Sequence, residues 1–346
     1  MRRAPLIVAA FAALACLAAA GVPVLTGQAR AGAAYPQAFT TTDDAAAAHA
    51  LALSKDRIHC LQIVANLQAE TPKQPVVILL GGSSAREGTI DDQNWAAQIL
   101  RRGGPTVLAY DLGSKHDTFE IDRAIAERLP QDMPTIVYIG INIGRFCNSP
   151  SDPSLSLPAP KIPPDVYYQH IYSIHKLIQS ASLKRHYVKY WLTRRWPEFK
   201  AHYSYNIKTL DQLIVACQKR GLHPVLVDLP RDLPIIGHSF DSPVYTYKAG
   251  CKRLAAKYHI PWLTFVATAR FVDRDFFDIF HLVEPGRVKY QHLLSEKTVT
   301  LLDKYGLKDP EPTPTPTPPP SPSPSPSPTE TPTPPTSPSP TGTPAP

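Results

Sequence analysis

Five short runs of this chain are dominated by apolar residues without alternation, and between them apolar residues recur at helical spacing. The runs are residues 76–80, 106–112, 135–141, 223–229 and 261–266, of which Val76-Val77-Ile78-Leu79-Leu80 is the purest. A strand buried on both faces reads this way, whereas a strand with one wet face alternates. The helical patterns fall at 91–102, 117–129, 205–220, 243–259 and 284–304. Strand and helix therefore take turns along the chain, which predicts a parallel sheet covered by helices on both faces. An Ala/Leu-rich stretch at 44–69 forms a helical lead-in, so the segment 32–75 precedes an α/β domain over 76–308.

One stretch departs from this rhythm. Residues 147–204 open with a Pro/Ser-rich loop and continue into Leu183-Lys184-Arg185-His186-Tyr187-Val188-Lys189-Tyr190-Trp191, then Arg194-Arg195-Trp196. We read them as a cap inserted beside the ligand-binding edge of the sheet. The plain account is a solvated helical face with its aromatics turned into the domain. The functional account is a surface for an acidic polymer or glycan, since aromatic faces stack on sugars. Basic and aromatic residues together also suit nucleic acid, but both ends of the chain argue for export and against that partner.

Met1-Arg2-Arg3 is followed by an Ala/Leu/Val-rich run to Val24 and by the small-x-small site Ala29-Arg30-Ala31. Residues 1–31 thus read as a secretory signal peptide. An uncleaved membrane anchor is the alternative, because the run approaches the roughly 20 apolar residues that span a bilayer. At the other end, residues 309–346 are nearly all Pro, Thr and Ser, and 18 of the 39 prolines lie from Pro310 onward. Such a segment has nothing to bury and is expected to stay disordered and extended. At about 3.1 Å per residue it spaces the domain by on the order of 100 Å. A secreted, cell-surface or cell-wall-associated location follows. Outside the signal there are four cysteines, Cys60, Cys147, Cys217 and Cys251. An even count in an exported chain predicts two disulfides, with Cys217–Cys251 on successive helices and Cys60–Cys147 as the remaining pair. None has metal-ligand spacing, and no metal or organic cofactor is expected.

The chemistry gathers at strand ends. The first run breaks into Gly81-Gly82-Ser83-Ser84, the third ends in Gly140-Ile141-Asn142, and Asp278-Ile279-Phe280-His281 follows the last. A serine, oxyanion donors, a histidine and its orienting carboxylate are the parts of a serine hydrolase. Three residues of separation in a tight turn let Asp278 hold the His281 imidazole in one tautomer. Asp275 and Asp273 are alternatives with poorer spacing. Arg86 and Glu87, next on the chain, read as a surface pair, or Arg86 faces an anionic substrate.

In this order, Ser, Gly, Asn and Asp-x-x-His, the motifs resemble the SGNH (GDSL-like) hydrolase family over residues 76–304. The resemblance implies a flavodoxin-like three-layer sandwich with a five-stranded parallel sheet and ligands at the strands' carboxyl ends. It also implies Ser83 as nucleophile, with Ser84 as the alternative because Gly82-Ser83-Ser84 is a second Gly-x-Ser. Asn142 and Gly113 take the oxyanion positions. Gly82 stands where the family usually has aspartate, Ile143 follows Asn142 where aspartate is frequent, and the family's further glycine falls near His116. The activity implied is a serine esterase, acting as a monomer on O-acyl groups of a cell-envelope glycan. The rivals are an O-acyltransferase on the same polymer beside membrane partners, a non-catalytic wall-binding module, and a distant nucleotide binder.

Overall fold

The computed structural model describes residues 57–151, 155–160 and 178–310. The signal segment, the first part of the lead-in and the proline-rich tail lie outside the described residues. Five strands form one sheet: β1 (Val76–Leu80), β2 (Leu108–Asp111), β3 (Thr135–Ile141), β4 (His223–Asp228) and β5 (Trp262–Thr264). The order across the sheet is β2-β1-β3-β4-β5, and every pairing is parallel. The fold class is the flavodoxin-like α/β sandwich expected from the alternation of runs.

Each strand feeds two cores because successive side chains point to opposite faces. Val76, Ile78 and Leu80 of β1 join Val137, Ile139 and Ile141 of β3 on one face. Val77 and Leu79 join Ile136 and Tyr138 on the other. A helix over residues 57–69 (α1), α4 (Phe119–Ala126), α6 (Trp196–Lys219) and α8 (Asp241–Tyr258) cover the first face. The second is covered by α3 (Asp92–Arg101) and α9 (Glu284–Lys304), whose Trp95, Ile99, Tyr290 and Leu294 are fully buried. Short helices α2 (Ser83–Arg86) and α7 (Leu233–Ile236) follow β1 and β4.

The cap differs from its expected bounds. Its described helix is α5 (Ala181–Tyr190), which passes through a π-helical turn at Trp191–Arg195 into α6. Residues 196–204 belong to α6, the crossover helix of the sandwich, which therefore starts nine residues before the predicted 205. The reason is an aromatic ladder at i, i+3 and i+7. Trp196 stacks on Phe199 and Phe199 on Tyr203, with centroids 5.2 and 5.3 Å apart, and Phe146 closes against both Phe199 and Tyr203.

The expected disulfides are absent. Cys60, Cys147, Cys217 and Cys251 are buried thiols. Cys60 donates to Leu112 O at 3.2 Å, and Cys147 to Arg195 O at 3.5 Å. Cys217 and Cys251 do sit on α6 and α8, and both remain buried free thiols there. Burial pushes the Cys147 and Cys217 thiols up to about 12, so both stay protonated and unreactive.

Candidate active site

The strand order reverses between β1 and β3, and the crevice outside their carboxyl ends is where an open α/β sheet binds ligands. Two glycines let α2 start in that crevice. A Cβ on Gly81 would sit 2.7 Å from the Ala85 Cβ, and one on Gly140 would sit 3.1 Å from the same atom. Only bare backbone at the ends of β1 and β3 lets α2 come so close. Ser83, its first residue, is thereby delivered to the sheet edge.

His281 arrives from the far end of the chain. Ser83 Oγ lies 2.8 Å from His281 Nε2, and His281 Nδ1 lies 2.8 Å from Asp278 Oδ2. Asp278 is fully buried and also accepts the backbone N–H groups of Phe280 (2.8 Å) and His281 (2.9 Å). Burial pushes the Asp278 carboxyl up, but the charge and hydrogen bond of His281 together with these N–H groups outweigh it and hold it below the usual carboxylate value. With an anion at Nδ1, the network assigns the proton to Nδ1 and leaves Nε2 to accept the serine hydroxyl. Asp273 and Asp275 are engaged elsewhere, with Lys184 and Lys289.

Ser84 lines the same cavity, but the histidine's hydrogen bond goes to Ser83. Ser84 is itself buried, and its Oγ accepts the Asn142 Nδ2–H at 2.9 Å. The orientation of Asn142 is fixed from its other side, where Oδ1 accepts the Arg145 N–H at 3.1 Å and caps a 3₁₀ turn over Ile143–Cys147. Arg145 is itself buried, donates to Gly140 O and Asp122, and lies 4.0 Å over the Phe119 ring. Asn142 is thus both turn residue and wall of the cavity that Ser83 and His281 line, with its amide nitrogen donating to Ser84.

Gly113 is a correction. Its N–H donates to Asp111 Oδ1 at 2.9 Å, so it is spent on the strand-end carboxylate. Glycine is required there for space, since a Cβ would come within 2.4 Å of Arg86 N. The left-handed backbone in this loop falls at His116 (φ 65°), whose residue lines the cavity while Gly113 does not. Arg86 and Glu87 are a second correction. They are buried at 5% and 0% exposure rather than forming a surface pair, and Glu87 accepts from both Arg86 and Arg287.

The cavity has a volume of about 380 Å³, and its wall opposite Ser83 comes from the cap: Tyr187, Tyr190, Trp191 and Arg195. The cap helix is pinned from below by Lys184, which the sequence reading passed over as one cation in a basic run. Its ammonium is fully buried and donates to Asp232 Oδ2, Asp273 Oδ1, Asp273 O and Phe276 O at 2.6–3.0 Å. A buried position three residues from Tyr187 on an amphipathic pattern was the available signal. Among the described residues no group of three or more His, Cys, Asp or Glu side chains is gathered to hold a metal ion.

No family model matches the sequence, and no curated protein matches it. Several solved structures are similar to the chain. A lipase/acylhydrolase from Enterococcus faecalis has 11% identity and a TM-score of 0.38, covering 67% of this chain and 96% of that one. Phospholipase A1 from Streptomyces albidoflavus has 11% identity and a TM-score of 0.40 over 65% and 98%. A catalytic mutant of an acetylxylan esterase from Geobacillus stearothermophilus has 11% identity and a TM-score of 0.39 over 67% and 94%. At this level of similarity, activity and substrate have to be read from the chain's own site.

Proposed function

We propose that the chain is an exported serine esterase that cleaves O-acyl groups from a glycan. The observation that carries this reading is the contact of Ser83 Oγ with His281 Nε2 at 2.8 Å, with Asp278 behind the imidazole. Ser83 attacks the ester carbonyl carbon while His281 Nε2 takes its proton, and Asp278 stabilises the imidazolium that results. The tetrahedral oxyanion is met by the Ser83 backbone N–H and the Asn142 amide. Collapse of the oxyanion breaks the ester C–O bond while His281 gives its proton to the departing sugar oxygen, which leaves as a hydroxyl and leaves the acyl group on Ser83. Water, deprotonated by the same nitrogen, attacks the acyl-serine, and collapse of the second oxyanion releases the acid and restores Ser83.

Labelling of the full chain with a fluorophosphonate, followed by peptide mapping, tests the reading. An adduct on Ser83 that vanishes in His281→Ala is expected. Absence of any adduct in folded protein would sink the esterase, and an adduct on Ser84 would sink the assignment of the nucleophile.

A further inference from the structure

Helix α5 turns one side to the domain and the other to solvent. Lys184, Val188 and Trp191 recur at i, i+4 and i+7 and are buried, while Leu183, Arg185, His186, Lys189 and Tyr190 are exposed. This outer side mixes apolar with basic groups, and residues 178–197 contain no Asp or Glu. Lys184 and Arg195 are held in ion pairs. Arg185, Lys189 and Arg194 are exposed and form none among the described residues.

The apolar groups extend beyond the helix. Nine large apolar side chains are exposed among the described residues, and five of them, Ile178, Leu183, Tyr190, Leu233 and Val272, belong to α5 or to the segments tied to it. Lys184 makes the ties: its ammonium bonds Asp232, the residue before Leu233, and Asp273, the residue after Val272. The Gln179 N–H, next to Ile178, donates to Phe277 O, one residue past the Phe276 carbonyl that Lys184 holds. Single exposed apolar residues are ordinary on a protein surface, but five around one helix make a patch. A patch flanked by unpaired cations has the composition of a surface that lies on an anionic bilayer. Aliphatic and tyrosine side chains reach the boundary of headgroups and acyl chains, and Lys and Arg meet the headgroups. A soluble polyanion would use the cations and leave the aliphatic groups in water, so the two features together favour the bilayer.

We propose that the outer side of α5, with Leu233 and Val272 beside it, docks the domain on an anionic lipid bilayer. Tyr190 lies on that side and also lines the cavity of Ser83. Docking therefore sets the cavity mouth against the headgroups, and the ester it meets is one presented at a membrane surface. The docking stands on the surface alone and does not need the esterase reading.

The test uses the full chain carrying Cys16→Ser, with an environment-sensitive nitrobenzoxadiazole dye on Leu183→Cys, the other four cysteines being buried. A dye there reports this face, whatever the rest of the chain does on a membrane. Vesicles of equimolar phosphatidylglycerol and phosphatidylcholine should shift its emission to the blue, and phosphatidylcholine alone should not. Lys189→Gln with Arg194→Gln should weaken the apparent partition about 25-fold, at roughly fivefold per cation, with the thermal midpoint at the parent's value. The same dye on Leu100→Cys, exposed on α3 over the other face of the sheet, should keep its aqueous spectrum. No blue shift with anionic vesicles, an equal shift with phosphatidylcholine alone, or a shift that the double variant keeps overturns the proposal. A shift produced equally by dextran sulfate without lipid makes a soluble polyanion the partner and overturns the bilayer. Fluorophosphonate labelling of Ser83 is scored separately, so failure of the esterase reading leaves the docking standing, and the reverse holds too.

Discussion

The stretch from Asp273 to His281 carries a charge cluster at each end, and the two are built to different purposes. At the later end Asp278 grips His281 with distances of 2.8 and 2.9 Å, and the imidazole's remaining nitrogen meets Ser83 at a cavity wall. At the earlier end Asp273 joins Asp232 around Lys184, whose three N–H bonds are taken by four oxygens. Both clusters set a base against a buried carboxylate at similar distances, Asp278 in one and Asp232 in the other, while Asp273 is 41% exposed. The difference lies in the base: the His281 side chain is 17% exposed and lines the cavity beside Ser83, whereas the Lys184 side chain is fully closed off. Reactivity follows from that opening. A saturated ammonium holds structure, whereas an imidazole with a free acceptor can move a proton.

The Lys184 cluster nonetheless serves the site. It ties α5, which presents Tyr187 and Tyr190, to the backbone two residues before Asp278, and the Gln179 N–H adds a bond to Phe277 O at 2.9 Å. Burial raises the Asp232 carboxyl, against the pull of Lys184. One ammonium thus serves two carboxylates, of which Asp232 is the one more readily protonated.

The two clusters should separate cleanly under mutation. Asp278→Asn keeps the shape but loses the anion that fixes the tautomer, so kcat on a soluble ester should fall about 10⁴-fold, alongside a loss of only the modest stability that the charged carboxylate supplies. A fall below tenfold would move the orienting role elsewhere. Lys184→Met should do the opposite. Stranding the buried Asp232 carboxylate without its ammonium costs about 3 kcal/mol, read by urea denaturation, and a variant as stable as the parent would show that the cluster holds nothing together.

Asp117 sharpens the contrast, because it lines the cavity yet is closed by Arg57. Burial first, and then the nearby Asp122 charge, push it up to about 7. A carboxyl raised on folding prefers its proton in the native state, so stability falls as pH rises from about 4 to 7. Asp117→Asn should therefore gain on the parent as pH increases across that window, and a constant difference would refute the raised value. Asp278 has the opposite sign: its lowered value contributes stability that is present above about pH 4 and lost on further acidification. The smallest effect concerns the cysteines. Reductant should leave the melting temperature unchanged and alkylation should need denaturant, and a drop in melting temperature with reductant would reinstate a disulfide.

The sequence by itself determined the layers. Unbroken apolar runs need two covered faces, so 76–80 and 135–141 could be read as strands to the residue. The Asp-x-x-His spacing was equally legible, being a local turn with a local carboxylate. What was not legible depended on neighbours far along the chain. Ser83 and Ser84 are indistinguishable in one dimension, and only the approach of His281, 198 positions away, separates them. Gly113 looked like an oxyanion donor until the Asp111 carboxylate beside it claimed its N–H. Arg86 and Glu87 looked like surface charges because nothing local shows that Arg287 completes their cluster. Periodicity reports which faces a segment buries, since that is a property of the backbone's own repeat. Which polar group meets which is decided only when the layers close, because a hydrogen bond spans about 3 Å and no sequence spacing fixes it.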